Sequence, residues 1–158
     1  MKLKWKKLEN QTGHDAGRAL LAEAFWEETG GDLPPILISP QGKPYFEKED
    51  WHFSISHTDT HAFCVLSRQN IGIDAENADR EIDPRVGARY LAENEQKRVE
   101  NAPDQRLALL RLWVLKEALA KLTGRGIGNW LKNTDFDPED ERIAGIDSCF
   151  VAILEEEK

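Results

Sequence analysis

The sequence predicts an α+β fold, and three observations predict it. Two stretches, 12–30 and 105–124, carry apolar residues at helical spacing and stop at glycine. Between them lie three short runs, 52–57, 62–67 and 70–76, that alternate in polarity or are continuously apolar, as strands are. With 158 residues and 40% hydrophobic content, the chain has the size of a single globular unit, 1–158, that needs no covalent staples.

In chain order, Leu3, Trp5 and Leu8 among lysines predict a short edge strand. Ala16, Leu20, Leu21, Ala24 and Phe25 then form a helical stripe that Gly30-Gly31 ends. Pro34-Pro35 breaks the chain before Ile36-Leu37-Ile38, a short buried run, and residues 41–44 read as a turn. Runs 52–57, 62–67 and 70–76 are expected to form a meander. Asp83-Pro84 opens a short helix with Val86, Tyr90 and Leu91 on its apolar side. The polar run 93–98 reads as an exposed helix or turn, with Glu95 either solvated or aimed at an acidic face. Pro103-Asp104 starts the longest helix. Its stripe of Ala108, Leu112, Leu115, Leu119 and Leu122 faces away from a flank with Leu110, Trp113 and Val114, so both sides are covered. Residues 124–128 follow this helix and serve as its C-cap and a tight turn. Two last strands, 133–136 and 149–154, flank the acidic loop 137–141.

Composition narrows the function. Cys64 and Cys149 lie in apolar runs, as buried reduced thiols do. No apolar stretch is long enough to span a membrane, and the first residues lack the apolar run of a signal peptide, so a cytoplasmic protein is expected. A net charge of −8 argues against nucleic acid as a partner. The charge is uneven: 97–125 is net basic, whereas acids dominate from Asp135 onward.

The chemistry gathers around residues 70–76. On a strand, Gly72, Asp74 and Glu76 share one face and Ile71, Ile73 and Ala75 the other, with Gly72 leaving the acidic face open. Carboxylates two residues apart, about 6 to 7 Å along the strand, can ligate one hard cation. An isolated pair of this kind is also the polar side of a half-solvated strand. On the long helix, Glu117 and Lys121 are spaced for a surface ion pair, but their flank also carries apolar residues, and charges that leave water need partners. His57 and His61 would share a face only on a helix, and residues 56–61 are not helical, which disfavours a zinc site.

Three blocks in order, Phe53-Ser-Ile-Ser-His57, Gly72-Ile-Asp-Ala-Glu76 and Trp113-Val-Leu-Lys-Glu-Ala118 running on to Lys121, Gly124 and Gly126, resemble the 4′-phosphopantetheinyl transferases. The resemblance is to the longer bacterial type that activates peptide synthetases and acyl carrier proteins, here shortened at both ends. Arg18 and Gly42-Lys43-Pro44 match less specific positions.

The resemblance implies two pseudo-twofold-related sheet-plus-helix halves, 1–76 and an abbreviated 77–158, with the ligand between them. It implies Mg²⁺-dependent transfer of 4′-phosphopantetheine from coenzyme A to a serine of an acyl or peptidyl carrier protein, releasing 3′,5′-ADP. Asp74, Glu76 and Glu117 would hold the metal and Lys121 would neutralise phosphate charge. His57 and Ser56 would lie at the coenzyme's phosphates, with Lys43, Pro44 and Arg18 toward its nucleotide end. Glu117 or a metal-bound water would serve as base, and Lys116 would support. The N-terminal lysines 2, 4, 6 and 7 are the basic residues left to replace those of a fuller N-terminal portion. An acidic carrier would dock on the basic stretch 97–125. A non-catalytic module binding coenzyme A or a nucleotide, and a Mg²⁺-dependent phosphoesterase, are the competing readings.

Overall fold

Two long helices and two three-stranded sheets bury most of the apolar residues in the computed structural model, which describes residues 1–47 and 50–157. Strand β1 (Lys2–Lys7) precedes helix α1 (Gly13–Thr29), and a small hairpin follows, β2 (Ile36–Ile38) with β3 (Pro44–Phe46). Three strands come next: β4 (His52–His57), β5 (His61–Ser67) and β6 (Ile71–Asn77). Helices α2 (Pro84–Tyr90), α3 (Glu93–Glu100) and α4 (Gln105–Thr123) lead through a 3₁₀ turn at Asn129–Asn133 to β7 (Ile143–Ile146) and β8 (Cys149–Glu155). The fold is α+β, as expected.

Both long helices are closed by local chemistry. Thr12 and Asp104 accept N–H bonds at the first turns of α1 and α4, and Gly30 and Gly124 end them with φ of 71° each, a left-handed conformation that glycine adopts without strain.

β5 is the central strand of the first sheet, ordered β1-β5-β4. Its alternate residues serve different layers: Ala62, Cys64 and Leu66 pack against α1, while Phe63 and Val65 pack against Ile71, Ile73 and Ala75 of β6. The expected meander therefore stops at β5. With β1 on one edge and β4 on the other, β5 has no free edge for a third partner. β6 instead pairs antiparallel with β8 and opens a second sheet, ordered β6-β8-β7. The seam between the sheets is closed by side chains. Ile73 and Ala75 donate their backbone N–H to Ser54 Oγ at 3.1 Å and Ser56 Oγ at 3.0 Å, so two hydroxyls of β4 stand in for ladder carbonyls.

Three local expectations are corrected. Ile36–Ile38 is a strand, but Leu37 and Ile38 are 38% and 59% exposed, because the hairpin is a two-stranded ribbon packed on one side. Residues 133–136 form no strand: Asn133 ends the 3₁₀ turn, and Thr134 O, Phe136 N and Phe136 O bond to the side chains of Lys116, Glu95 and Arg98. Besides β6, β8 pairs with β7, a strand the sequence did not show, because its Ala144 and Gly145 are exposed and leave little periodicity to read.

Candidate active site

The even-numbered face of β6 meets α4, and Gly72 decides how closely. A Cβ at that position would sit 2.5 Å from Leu122 N and nearer still to the Ala118 carbonyl oxygen, so the helix backbone rests directly on the strand. The face expected to be open at Gly72 is thus filled by α4. One step along the strand, Asp74 then faces Glu117 and Lys121. Carboxylate oxygens of Asp74, Glu76 and Glu117 lie within 4.8 Å of one another.

This cluster is electrostatically unfinished. Asp74 is 3% exposed and Glu76 is 8% exposed. Asp74 Oδ1 accepts from Lys121 Nζ at 3.3 Å and from Ser56 Oγ at 3.4 Å, but its Oδ2 is buried with no hydrogen-bond donor among the described residues. Burial pushes the Asp74 carboxyl well above the ordinary carboxylate range, and Lys121 only partly offsets that while Glu117 and Glu76 add to it. Glu76 is also raised by burial, with Arg80 opposing the shift. A buried carboxylate with one unpaired oxygen, beside two further carboxylates, is a donor set that suits a hard divalent cation. Asp74, Glu76 and Glu117 are the residues that would hold it.

A cleft of about 810 Å³ opens over the cluster, walled by Ser56 and His57 on one side and by Asp79 and Arg80 on the other. His57 is exposed at the end of β4, and its ring abuts Gly13 at the start of α1, where a Cβ would come within 2.7 Å of the histidine Cβ and closer to the ring. A second lobe of about 280 Å³ shares Ile55, Glu117 and Lys121 with the first. Its wall is largely apolar, with Pro44, Phe53 and Ile127, and Lys43 lies at its edge. The structure therefore brings Lys43, Pro44, Ser56, His57, Asp74, Glu76, Glu117 and Lys121 around one two-lobed cleft. Arg18 lines neither lobe; it is half-buried on α1, next to Gly17, whose backbone packs on Ile55.

Lys43 is tied down. Its ammonium donates to Asn70 Oδ1 and Leu122 O, both at 2.8 Å, which anchors the β2–β3 hairpin to the carbonyl end of α4. Burial pulls its pKa down.

Residues 70–150 match the family model of the 4′-phosphopantetheinyl transferase superfamily. The chain is 37% identical over 119 residues to the 4′-phosphopantetheinyl transferase AcpT of Escherichia coli, an alignment covering 69% of this chain and 56% of that protein. It is 30% identical over 129 residues to the 4′-phosphopantetheinyl transferase psf-1 of Bacillus pumilus, covering 75% of this chain and 55% of that one. The chain belongs to the 4′-phosphopantetheinyl transferase superfamily. It spans a little over half the length of the curated relatives it matches. In this phosphopantetheinyl transferase relative, the matched segment contains β6, α4 and therefore all three converging carboxylates.

Two structural features of this family member were missed by residue-level reading. Lys116, on the far side of α4 from the cleft, is fully buried and pairs with the equally buried Glu95 at 2.5 Å, donating also to Leu131 O at 2.7 Å and Thr134 Oγ1 at 2.6 Å. Glu95 in turn accepts from Ala92 N at 2.7 Å and Phe136 N at 2.8 Å, so α3 and the 131–136 segment are both tied to the helix that carries Glu117. The second is Arg80, which pairs with Glu76. Its spacing of four residues from Glu76 was the available signal, but across the end of a strand that spacing carries no pairing rule. Three of the four N-terminal lysines are engaged elsewhere: Lys2 and Lys4 pair with Glu27 and Lys7 with Asp147. Most cations of the basic stretch 97–125 are likewise spent internally, Arg98 on Asp135, Arg106 on backbone carbonyls, Arg111 on Pro138 O and Lys116 on Glu95.

Proposed function

We propose that this chain transfers 4′-phosphopantetheine from coenzyme A to the serine of an acyl or peptidyl carrier protein in the cytoplasm, releasing 3′,5′-ADP, with Mg²⁺ held by Asp74, Glu76 and Glu117. The observation that supports this most is the convergence of those carboxylates within 4.8 Å, one of them with a buried unpartnered oxygen, under a cleft that Lys121 and His57 also line.

The apolar lobe suits the less polar parts of the coenzyme, and the charged lobe suits its diphosphate. When bound, the divalent cation supplies a hard positive charge that polarises the transferred phosphate and offsets charge on the diphosphate. Lys121 sits on the helix flank between the lobes, where its ammonium neutralises charge that grows on the departing phosphate. His57, which lines the cleft at the exposed end of β4, would donate to a phosphate oxygen. Glu117, the least buried of the three acids, would take the proton of an incoming serine, either directly or through a water on the metal. The serine oxygen then bonds to phosphorus as the phosphorus–oxygen bond to 3′,5′-ADP breaks, and the leaving group keeps the electron pair.

The test is to mix the protein with coenzyme A, Mg²⁺ and several apo carrier proteins and to weigh the carriers. The expected result is a mass gain of one phosphopantetheine group on at least one carrier, lost on Glu117→Gln. No gain on any carrier overturns the activity, and coenzyme A cleavage without a carrier would indicate a phosphoesterase instead.

A further inference from the structure

The charged lobe contains more carboxylates than the metal reading uses. Among its lining residues, Asp59, Asp74, Glu76, Asp79 and Glu117 face two permanent cations, Lys121 and Arg80. Lys121 is directed at Asp74 and the Ile55 carbonyl. Arg80 is directed at Glu76, to which its Nη1 donates.

The position of Arg80 is built by its surroundings. Its backbone N–H donates to Asn77 O at 3.0 Å, closing the turn after β6, and Arg106 from α4 donates to Ala78 O and Arg80 O at 3.0 Å each. The turn is therefore held from two directions while the side chain, 49% exposed, folds back onto a Glu76 side chain that is only 11% exposed. A fixed backbone with a half-solvated side chain lets the guanidinium leave Glu76 without disturbing the fold. A single positive charge on one carboxylate oxygen is a weak substitute for a divalent ion that three carboxylates can share.

We propose that Arg80 is a placeholder cation: it neutralises Glu76 in the metal-free protein and is released from it when a divalent ion binds. The inference rests on the reading of Asp74, Glu76 and Glu117 as the metal site. Arg80 thus keeps the acidic cluster together before metal arrives, and it lowers metal affinity by competing for Glu76 and by placing a positive charge beside the incoming ion. Once released, the side chain stays in the lobe where a diphosphate would lie, and guanidinium groups match such oxygens in pairs.

The experiment measures Mn²⁺ binding by calorimetry and thermal melting in EDTA for the wild-type protein, Arg80→Gln and Arg80→Lys. The expected result is Mn²⁺ affinity roughly two- to fivefold tighter in Arg80→Gln, the scale of one partly exposed ion pair, with a lower melting temperature in EDTA. Arg80→Lys, which keeps the charge and loses the fork, falls between; should the glutamine variant fail to fold, tighter binding by the lysine variant decides. Unchanged or weaker Mn²⁺ binding in the variants overturns the placeholder, the weaker result meaning that Arg80 orients Glu76 for the metal. If the wild-type protein itself binds no Mn²⁺, the metal reading fails and this inference goes with it. If wild type binds Mn²⁺ and the variants match it, the metal reading stands alone.

Discussion

Asp74 is held in a position that costs the folded protein free energy unless something else enters. It is buried, one of its oxygens has no donor among the described residues, and two more carboxylates stand within reach. Asp74→Asn removes the charge and keeps the shape, so the metal-free protein is expected to melt at a higher temperature, while phosphopantetheine transfer falls by at least about a hundredfold. A melting curve in EDTA and an initial-rate assay check both halves, and a variant that is less stable without metal would contradict the electrostatic account. Lys121→Ala is expected to lose roughly 10²- to 10³-fold in rate, the range seen for one preorganised charge stabiliser. The buried pair on the other side of α4 behaves oppositely. Lys116→Met leaves the buried Glu95 charge without its cation, held only by the Ala92 and Phe136 N–H groups, at a cost of about 3–5 kcal/mol that denaturant unfolding would register, and Glu95→Gln in the same chain should recover part of it. The alternation of residues 72–76 and the helical spacing of Glu117 and Lys121 made the cleft side legible from sequence. The pairing of Lys116 with Glu95 was not: Glu95 sits in a polar run that looks solvated, and Lys116 sits in an apolar helix, so neither stretch shows its partner until α3 is laid against α4.

At the level of elements, the site depends on a helix lying on a strand with no side chain between them. Gly72→Ala places a methyl group against the α4 backbone at Ala118 and Leu122, neither of which can move aside as a side chain tip would. The helix must lift, taking Glu117 and Lys121 from Asp74. Strain of this overpacking kind costs about 1–3 kcal/mol, and loss of Mn²⁺ binding larger than the stability loss explains would show that the helix had shifted. If Gly72→Ala binds Mn²⁺ like the wild type, close approach is not what assembles the carboxylates. The serine seam is a second element-scale device: without Ser54 Oγ and Ser56 Oγ, the N–H groups of Ile73 and Ala75 have lost their acceptors. The three strand patterns were legible, but the departure of β6 from its neighbour was not. Strand periodicity reports which face is buried and says nothing of which edge is already taken, and β1, far away in sequence, takes the edge of β5.

For the whole molecule, the sign of the pH dependence of stability follows from which carboxylates are shifted upward and which downward. Asp83, Asp135, Asp140 and Asp147 are pulled below the ordinary range, chiefly by hydrogen bonds from Arg85, Arg98, Arg142 and His61. Their contribution is present above the unfolded carboxylate range and is lost only as pH falls through their lower folded values, so above about pH 5 they are silent. Asp74 and Glu76 are pushed upward by burial, so between the ordinary carboxylate range and their folded values the native state binds more protons than the unfolded chain. Stability of the metal-free protein therefore falls as pH rises through that window. A divalent ion bound by the same carboxylates holds them ionised in the native state and cancels this slope, because protons and metal compete for one set of oxygens. Melting temperatures from about pH 5 to pH 8, in EDTA and in saturating Mg²⁺, should diverge with rising pH, the gain from Mg²⁺ being smallest in acid. Asp74→Asn should flatten the EDTA curve. A Mg²⁺ gain that is the same at both ends of the range would mean that the buried acids and the metal are not thermodynamically linked.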